Sequence, residues 1–271
     1  MGLEELKNIA QELRIDTFSM LVQAGSGHPG GSLGMADVFA TLFFGNVLKY
    51  DVKNPNWEKR DYFVLSNGHI CPIFYSTLAK AGYFPKVELG SLRKLGSRLQ
   101  GHPHREALPG IENSSGPLGC GISQASGIAL GLKMDKKSNR VFCAVSDGEH
   151  DEGNLWEGVM FASKYKLNNL ICVMDRNGIQ LSGKVADVMP LHNLKEKYKS
   201  FNWEVVEVDG HNFTELKKAF EIKSSSPLMI IANTVLGKGV SYMENNYKWH
   251  GAVPKGEAVE TAIKELKNEV R

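Results

Sequence analysis

Five short apolar runs punctuate the chain, at residues 61–65, 141–145, 170–174, 203–208 and 228–232. They are rich in Val, Ile and Phe and bounded by polar or turn residues. This is the pattern of strands buried on both faces. Helical periodicity fills the intervals: 70–81, 119–134, 153–166 and 213–222. The 119–134 segment carries Ser123, Ala125, Ser126, Gly127, Ala129 and Gly131, small residues that permit close packing. The 153–166 segment places Leu155, Trp156, Val159 and Met160 on one face. An amphipathic helix over 3–23 precedes the first strand, and a charged surface helix over 256–270 ends the chain. Strand and helix alternate, which predicts an α/β fold: an open, mostly parallel sheet with helices on both faces. Ligands of such sheets sit beyond the carboxyl ends of the strands.

Composition narrows the function classes. With 42% hydrophobic residues, 23% charged residues and a net charge of +2, the chain reads as a soluble globular protein, organised as a single domain over 1–271. The near balance of charge offers no basic stripe for nucleic acid. No apolar run approaches the ~20 residues that span a bilayer. The charged N-terminal pattern has no signal-peptide core. Cys71, Cys120, Cys143 and Cys172 lack metal-type spacing, and a reducing, cytoplasmic setting is expected.

Chemistry concentrates at strand ends and in three Gly/Pro/His-rich stretches, 25–34, 101–121 and 236–256, which read as site loops. The second predicted strand runs into Ser146-Asp147-Gly148, the third into Asp175-Arg176-Asn177-Gly178. Asp147 and Asn177 therefore fall at one sheet edge. A carboxylate and an amide oxygen suit Mg²⁺ or Ca²⁺, and Gly148 lets backbone approach a ligand. Asp-Gly and Asn-Gly pairs are also ordinary turn residues, so this pair alone leaves both readings open. His28, His69, His102 and His250 each occupy a Gly- or Pro-flanked loop, where imidazole can shuttle protons and bond hydroxyls. His104, His150 and His192 have weaker claims: solvation for His104, contact with an interface between subunits for His150. His211, in a Val-Asp-Gly-His turn, reads as structural.

Asp147-Gly148, 28 intervening residues and Asn177 resemble the thiamine diphosphate motif. The segment Ser146-Asp147-Gly148-Glu149-His150-Asp151-Glu152-Gly153-Asn154-Leu155-Trp156-Glu157 is similar to its transketolase form. The likeness extends through Ser26-Gly27-His28-Pro29-Gly30-Gly31, Leu65-Ser66-Asn67-Gly68-His69, Gly101-His102-Pro103, Gly116-Pro117-Leu118-Gly119, Gly237-Lys238-Gly239 and Trp249-His250-Gly251. It covers the family's first, diphosphate-binding domain.

The resemblance implies a set of roles. Asp147, the Asn177 side chain and the Ile179 carbonyl would bind Mg²⁺, with Ca²⁺ or Mn²⁺ as alternatives. Gly148 and His69 would touch the diphosphate of thiamine diphosphate, Gly116 and Leu118 would face its aminopyrimidine and central region, His250 would sit near the diphosphate and the reacting carbon, and Pro117, Glu149 and Asn177 would complete the cofactor-binding set. His28, His69, His102 and His250 would be the catalytic histidines. Glu152 and Glu157 would form an acidic pair at the interface between subunits. Ser146 stands where the motif usually has Gly, and Cys120 where transketolases commonly have Gln. The family's pyrimidine-binding and C-terminal domains have no counterpart here. The resemblance thus implies the N-terminal subunit of a split transketolase that acts on sugars or sugar phosphates, completed in an α2β2 assembly by a C-terminal subunit. The alternatives are a ketol transferase like deoxyxylulose-phosphate synthase or specialised for an unusual sugar, and a noncatalytic cofactor-binding or regulatory subunit.

Overall fold

A computed structural model describes residues 1–268. Strands β1 (Tyr62–Leu65), β2 (Val141–Ser146), β3 (Leu170–Arg176), β6 (Glu204–Asp209) and β7 (Leu228–Asn233) form one parallel sheet in the order β1-β2-β3-β7-β6. The short strands β4 (Ile179–Gln180) and β5 (Gly183–Lys184) pair as an antiparallel hairpin just after β3. Helices α1 (Leu3–Ala24), α2 (Pro29–Gly34), α3 (Ala36–Phe44), α4 (Cys71–Ala81), α5 (Cys120–Met134), α6 (Gly153–Lys164), α7 (Val185–Val188), α8 (Leu194–Ser200), α9 (Phe213–Phe220) and α10 (Glu257–Asn268) complete the described chain. None is long and apolar enough to cross a membrane.

β1, β2, β3 and β7 are mostly apolar because alternate residues enter two different cores, whereas the edge strand β6 buries Val205 and Val208 and exposes Glu204, Glu207 and Asp209. Phe63, Phe142, Ala144, Val173 and Ile230 pack beneath α1, α3, α4 and α9. Val64, Cys143, Val145, Cys172 and Ile231 pack beneath α5, α6 and α8. Both faces of the sheet carry helices, as the sequence pattern predicts. The last helix is not purely a surface element: Ala262 and Leu266 join Phe18 and Leu33 in a third cluster. The predicted extension of that helix to residue 270 lies outside the described residues.

The stretch 25–34 departs from its reading as a loop. From Pro29 onward it is α2, fully buried. A Cβ at Gly34 would lie 2.8 Å from the Val235 carbonyl, so glycine lets this helix press against the chain leaving β7. With five parallel strands, all carboxyl ends share one edge. There Ser146 pairs with Asp175, and Arg176 with Asn233.

Candidate functional site

Asp147 is the first residue beyond β2, and Asn177 the first beyond the neighbouring β3. Backbone amides fix both. Asp147 Oδ1 accepts from Gly148 N–H at 2.8 Å and Oδ2 from Gly178 N–H at 2.6 Å, so one carboxylate ties the two strand ends together. Asn177 Oδ1 accepts from Ile179 N–H at 3.0 Å. Its Nδ2 donates to Asp175 Oδ2 at 3.0 Å. Asp175 is buried inside β3, and its other oxygen accepts from the Thr234 hydroxyl. Because a carboxylate only accepts, Asp175 holds the amide nitrogen of Asn177 and turns the amide oxygen away from itself.

These carboxylates sit in unfavourable surroundings. Burial, then the charge of Asp175, pushes Asp147 up to about 7. Burial pushes Asp175 up to about 6. A cation at Asp147 would relieve both effects. Among the described residues no group of three or more His, Cys, Asp or Glu side chains is placed to hold a metal ion. The protein thus offers one carboxylate, one amide and backbone carbonyls. That hard-oxygen set fits a divalent ion that takes its remaining ligands from a bound anion or water.

The same residues line a cavity of about 380 Å³. Asp147, Gly148, Asn177 and Ile179 border it together with His28, His69, His102 and His250, and Gly116 and Leu118 complete its wall. Pro117 lies between the last two outside the lining. The rings of His28, His69 and His250 form a triangle with centroids 5.2, 5.4 and 5.6 Å apart. Burial, then the neighbouring His250 and Arg93, pushes His28 down to about 4. His69 is held well below its ordinary value by burial and by the other rings. Burial also lowers His102 and His250. The imidazoles are therefore neutral at physiological pH, each able to donate and to accept. His28 Nδ1, His250 Nδ1 and both amide atoms of Asn67 are buried without a partner. Buried polar atoms are normally bonded, and such orphans are what a polar ligand would satisfy.

Glu149 borders the cavity, but its carboxylate is taken up by the protein. Oε1 accepts from the Ser66 hydroxyl and from Gly119 N–H at 2.6 Å, and Oε2 accepts from Ser146 N–H at 3.1 Å. Ser146 belongs to β2, so its extended backbone needs no glycine. Cys120 opens α5, and its Sγ accepts from Asn154 Nδ2 at 3.2 Å. Glu152, just before α6, and Glu157, within it, are exposed and do not line the cavity; α6 also exposes Met160 and Phe161.

His150 is buried rather than at a surface. Its Nδ1 lies 2.7 Å from the Ser146 carbonyl oxygen and its Nε2 2.8 Å from Tyr198 Oη. Burial pushes it down to about 4. A histidine lowered on folding binds protons more tightly unfolded, so the stability tied to its neutral form is present above about 6.5 and lost toward about 4. Replacing it with Gln is expected to remove about one proton's worth of acid sensitivity. Urea melts at pH 7.5 and pH 5 check this; an unchanged pH slope would refute the assignment. His211 is structural as expected: Nδ1 bonds Asp37 at 2.6 Å and Nε2 accepts from Val235 N–H at 2.9 Å. His104 and His192 are exposed and do not line the cavity, although His192 borders an adjoining opening that Asp147 also borders.

Sequence reasoning passed over Asp175, Thr234 and Asn67. The signal for Asp175 was present: a carboxylate ending an otherwise apolar strand two residues before Asn177.

Residues 6–269 match the family described as transketolase, thiamine diphosphate binding domain. The chain is 38% identical over 272 residues to a 6-deoxy-6-sulfo-D-fructose transketolase subunit of Clostridium sp. (strain MSTE9), covering 99% of this chain and 98% of that protein. It is 35% identical over 273 residues to an apulose-4-phosphate transketolase subunit of Phocaeicola vulgatus, covering 100% and 96%. The transketolase structure from Campylobacter jejuni superposes with a TM-score of 0.93 at 34% identity, covering 98% of this chain and 43% of that one.

Proposed function

The chain belongs to the transketolase family, and we propose that it is the diphosphate-binding subunit of a split transketolase, a single domain over residues 1–271. A C-terminal subunit with the pyrimidine-binding and C-terminal domains would complete it as α2β2 in the cytoplasm. The reaction is transfer of a two-carbon ketol unit from a ketose, or ketose phosphate, to an aldose. One observation carries this reading: Asp147 and Asn177, at adjacent strand ends, open into the same cavity as four neutral histidines. Two relatives matched over nearly their whole length are named as subunits, which supports a partner chain. Their named sugars support a specialised substrate.

Asp147, the Asn177 amide oxygen and the Ile179 carbonyl would hold Mg²⁺. Gly148 and His69 would receive the diphosphate, and Gly116 and Leu118 would pack against the rings. When bound, thiamine diphosphate supplies the carbon nucleophile and the electron sink for the ketol unit. The chain's own residues orient and protonate. His28 Nδ1 and His250 Nδ1, buried and unpartnered, bond sugar hydroxyls and the carbonyl oxygen. His102, less enclosed, hands protons to and from a hydroxyl of the donor.

Mixing this chain with a pyrimidine-domain chain, thiamine diphosphate and Mg²⁺ is expected to give ketol transfer that neither chain gives alone. Full-rate transfer by the isolated chain would end the split-enzyme reading. In the assembled enzyme, His102→Ala is expected to keep cofactor affinity and to lower kcat about a hundredfold, the usual weight of one positioned acid–base group. An unchanged kcat would remove His102 from the proton pathway.

A further inference from the structure

His28 stands at the start of α2, and α2 leans on the segment Val235–Leu236 just beyond β7. A Cβ at Gly30 would lie 2.7 Å from the Leu236 side chain, and Gly30 O accepts from Gly237 N–H at 2.9 Å. The Val235 carbonyl makes the matching close approach at Gly34. His28 is tied to the same helix, since its carbonyl accepts from the Ser32 hydroxyl at 2.7 Å. With three glycines and a proline in six residues, α2 has little propensity of its own. Its place is set by what it rests on.

A buried cluster fixes that support. Arg14 and Asp37 are 4% and 5% exposed. Asp37 Oδ2 accepts from Arg14 Nη2 and from His211 Nδ1, the latter at 2.6 Å. Arg14 Nε donates to the Leu33 carbonyl at 3.2 Å, in the last turn of α2. His211 Nε2 accepts from Val235 N–H at 2.9 Å. A backbone N–H only donates, so Nε2 carries no proton, and the ring hydrogen sits on Nδ1, facing Asp37. Burial opposes the charge of Asp37, yet Arg14 and His211 hold its carboxyl below the usual carboxylate range. One cluster thus grips the end of α2 through Arg14 and the segment beneath it through His211. None of the three lines the histidine cavity.

We propose that His211, braced by Asp37, is a positioning residue: it pins Val235, and with it α2, in the place that aims His28 into the sugar site. The proposal rests on the transketolase reading, which gives His28 its sugar contacts. A catalytic group displaced by about 1 Å can lose about 100-fold in rate. His28 has no side-chain partner of its own to hold it, because its Nδ1 is buried and unbonded. Its aim therefore comes from the backbone that carries it.

The test uses the assembled two-chain enzyme. His211→Ala leaves Asp37 paired with Arg14. It is expected to lower kcat roughly 10- to 100-fold, with thiamine diphosphate affinity kept within about threefold. His211→Gln should recover most of the rate, because its NH₂ can donate to Asp37 and its oxygen can accept from Val235 N–H. Hydrogen exchange read by mass spectrometry should be faster over α2 in the alanine variant and near wild type in the glutamine one. That readout needs no turnover. The decisive comparison is a double variant. Adding His211→Ala to a His28→Ala enzyme should lower kcat by less than about threefold, while the melting temperature falls as far as it does when His28 is present. An unchanged kcat, equal losses of kcat in both backgrounds, or unchanged exchange over α2 would each overturn the role of His211. Should the alanine variant not fold, His211→Asn, whose shorter amide reaches one partner at a time, carries the same comparisons. Absence of transfer from every ketose by the wild-type assembly would instead bring down the transketolase reading, and this role with it; the exchange pattern tells the two failures apart.

Discussion

Asp147→Ala is expected to abolish metal-dependent binding of thiamine diphosphate, with affinity falling by more than about a hundredfold, since even residues behind a metal ligand cost 10- to 100-fold. Asp147 supplies the charge in a pair whose other member, Asn177, is neutral. It also holds the amides of Gly148 and Gly178, so the alanine variant loses the ligand and the tie between strand ends. Asp147→Asn separates these effects. The amide can still accept a backbone N–H but carries no charge. Metal-dependent binding should therefore fail in both variants, while the metal-free asparagine variant melts above the alanine one, because it keeps one of the two bonds although its NH₂ must face the other backbone amide. Relief of the repulsion between buried Asp147 and Asp175 offsets part of that loss. Calorimetric titration of the cofactor, in Mg²⁺ and in chelator, reads the first outcome, and thermal melts the second. Wild-type affinity in either variant would remove Asp147 from the metal site.

The parts of this site that could be read in the sequence are those with short-range signals. Four of the five strands announce themselves as apolar runs because both faces are covered, the edge strand β6 does so through Val205, Val206 and Val208, and each appears within two residues of its expected bounds. Parallel strands put their last residues on one edge, which is why the sequence alone could place Asp147 and Asn177 together. The four histidines were marked by flanking glycine and proline. What escaped was nonlocal. Helix α2 is made of Pro-Gly-Gly-Ser-Leu-Gly, a poor helix former by propensity; it is helical because it is packed under the chain following β7. The side-chain links of Asp175 to Thr234, and of Glu149 to Ser66 and Gly119, join residues 59, 83 and 30 positions apart. No local pattern encodes such pairings. His150 shows the same limit: its acidic neighbours suggest a surface, while its ring fits between Ser146 and Tyr198.

Glu149 carries the second large effect, on stability rather than on chemistry. It is fully buried, and its carboxylate joins three segments: the end of β1 through Ser66, the end of β2 through Ser146, and the start of α5 through Gly119. Ser66 in turn accepts from Gly121 N–H at 3.1 Å, which fixes the first turn of α5. Glu149→Ala would strand two amides and a hydroxyl in a dry interior. One unsatisfied buried donor costs about 1–3 kcal/mol, and this variant leaves three of them. For a chain of this size the melting temperature should fall on the order of 10 °C. Glu149→Gln tests whether charge or shape is required. Its amide presents an acceptor to one side only, so its NH₂ must face either the Ser146 amide or the Ser66–Gly119 pair, and an intermediate loss is expected. Both variants should weaken cofactor binding in step with stability, because the three joined segments border the cavity. A melting temperature unchanged in the alanine variant would mean that the network adds nothing, leaving Glu149 free to act on the ligand directly.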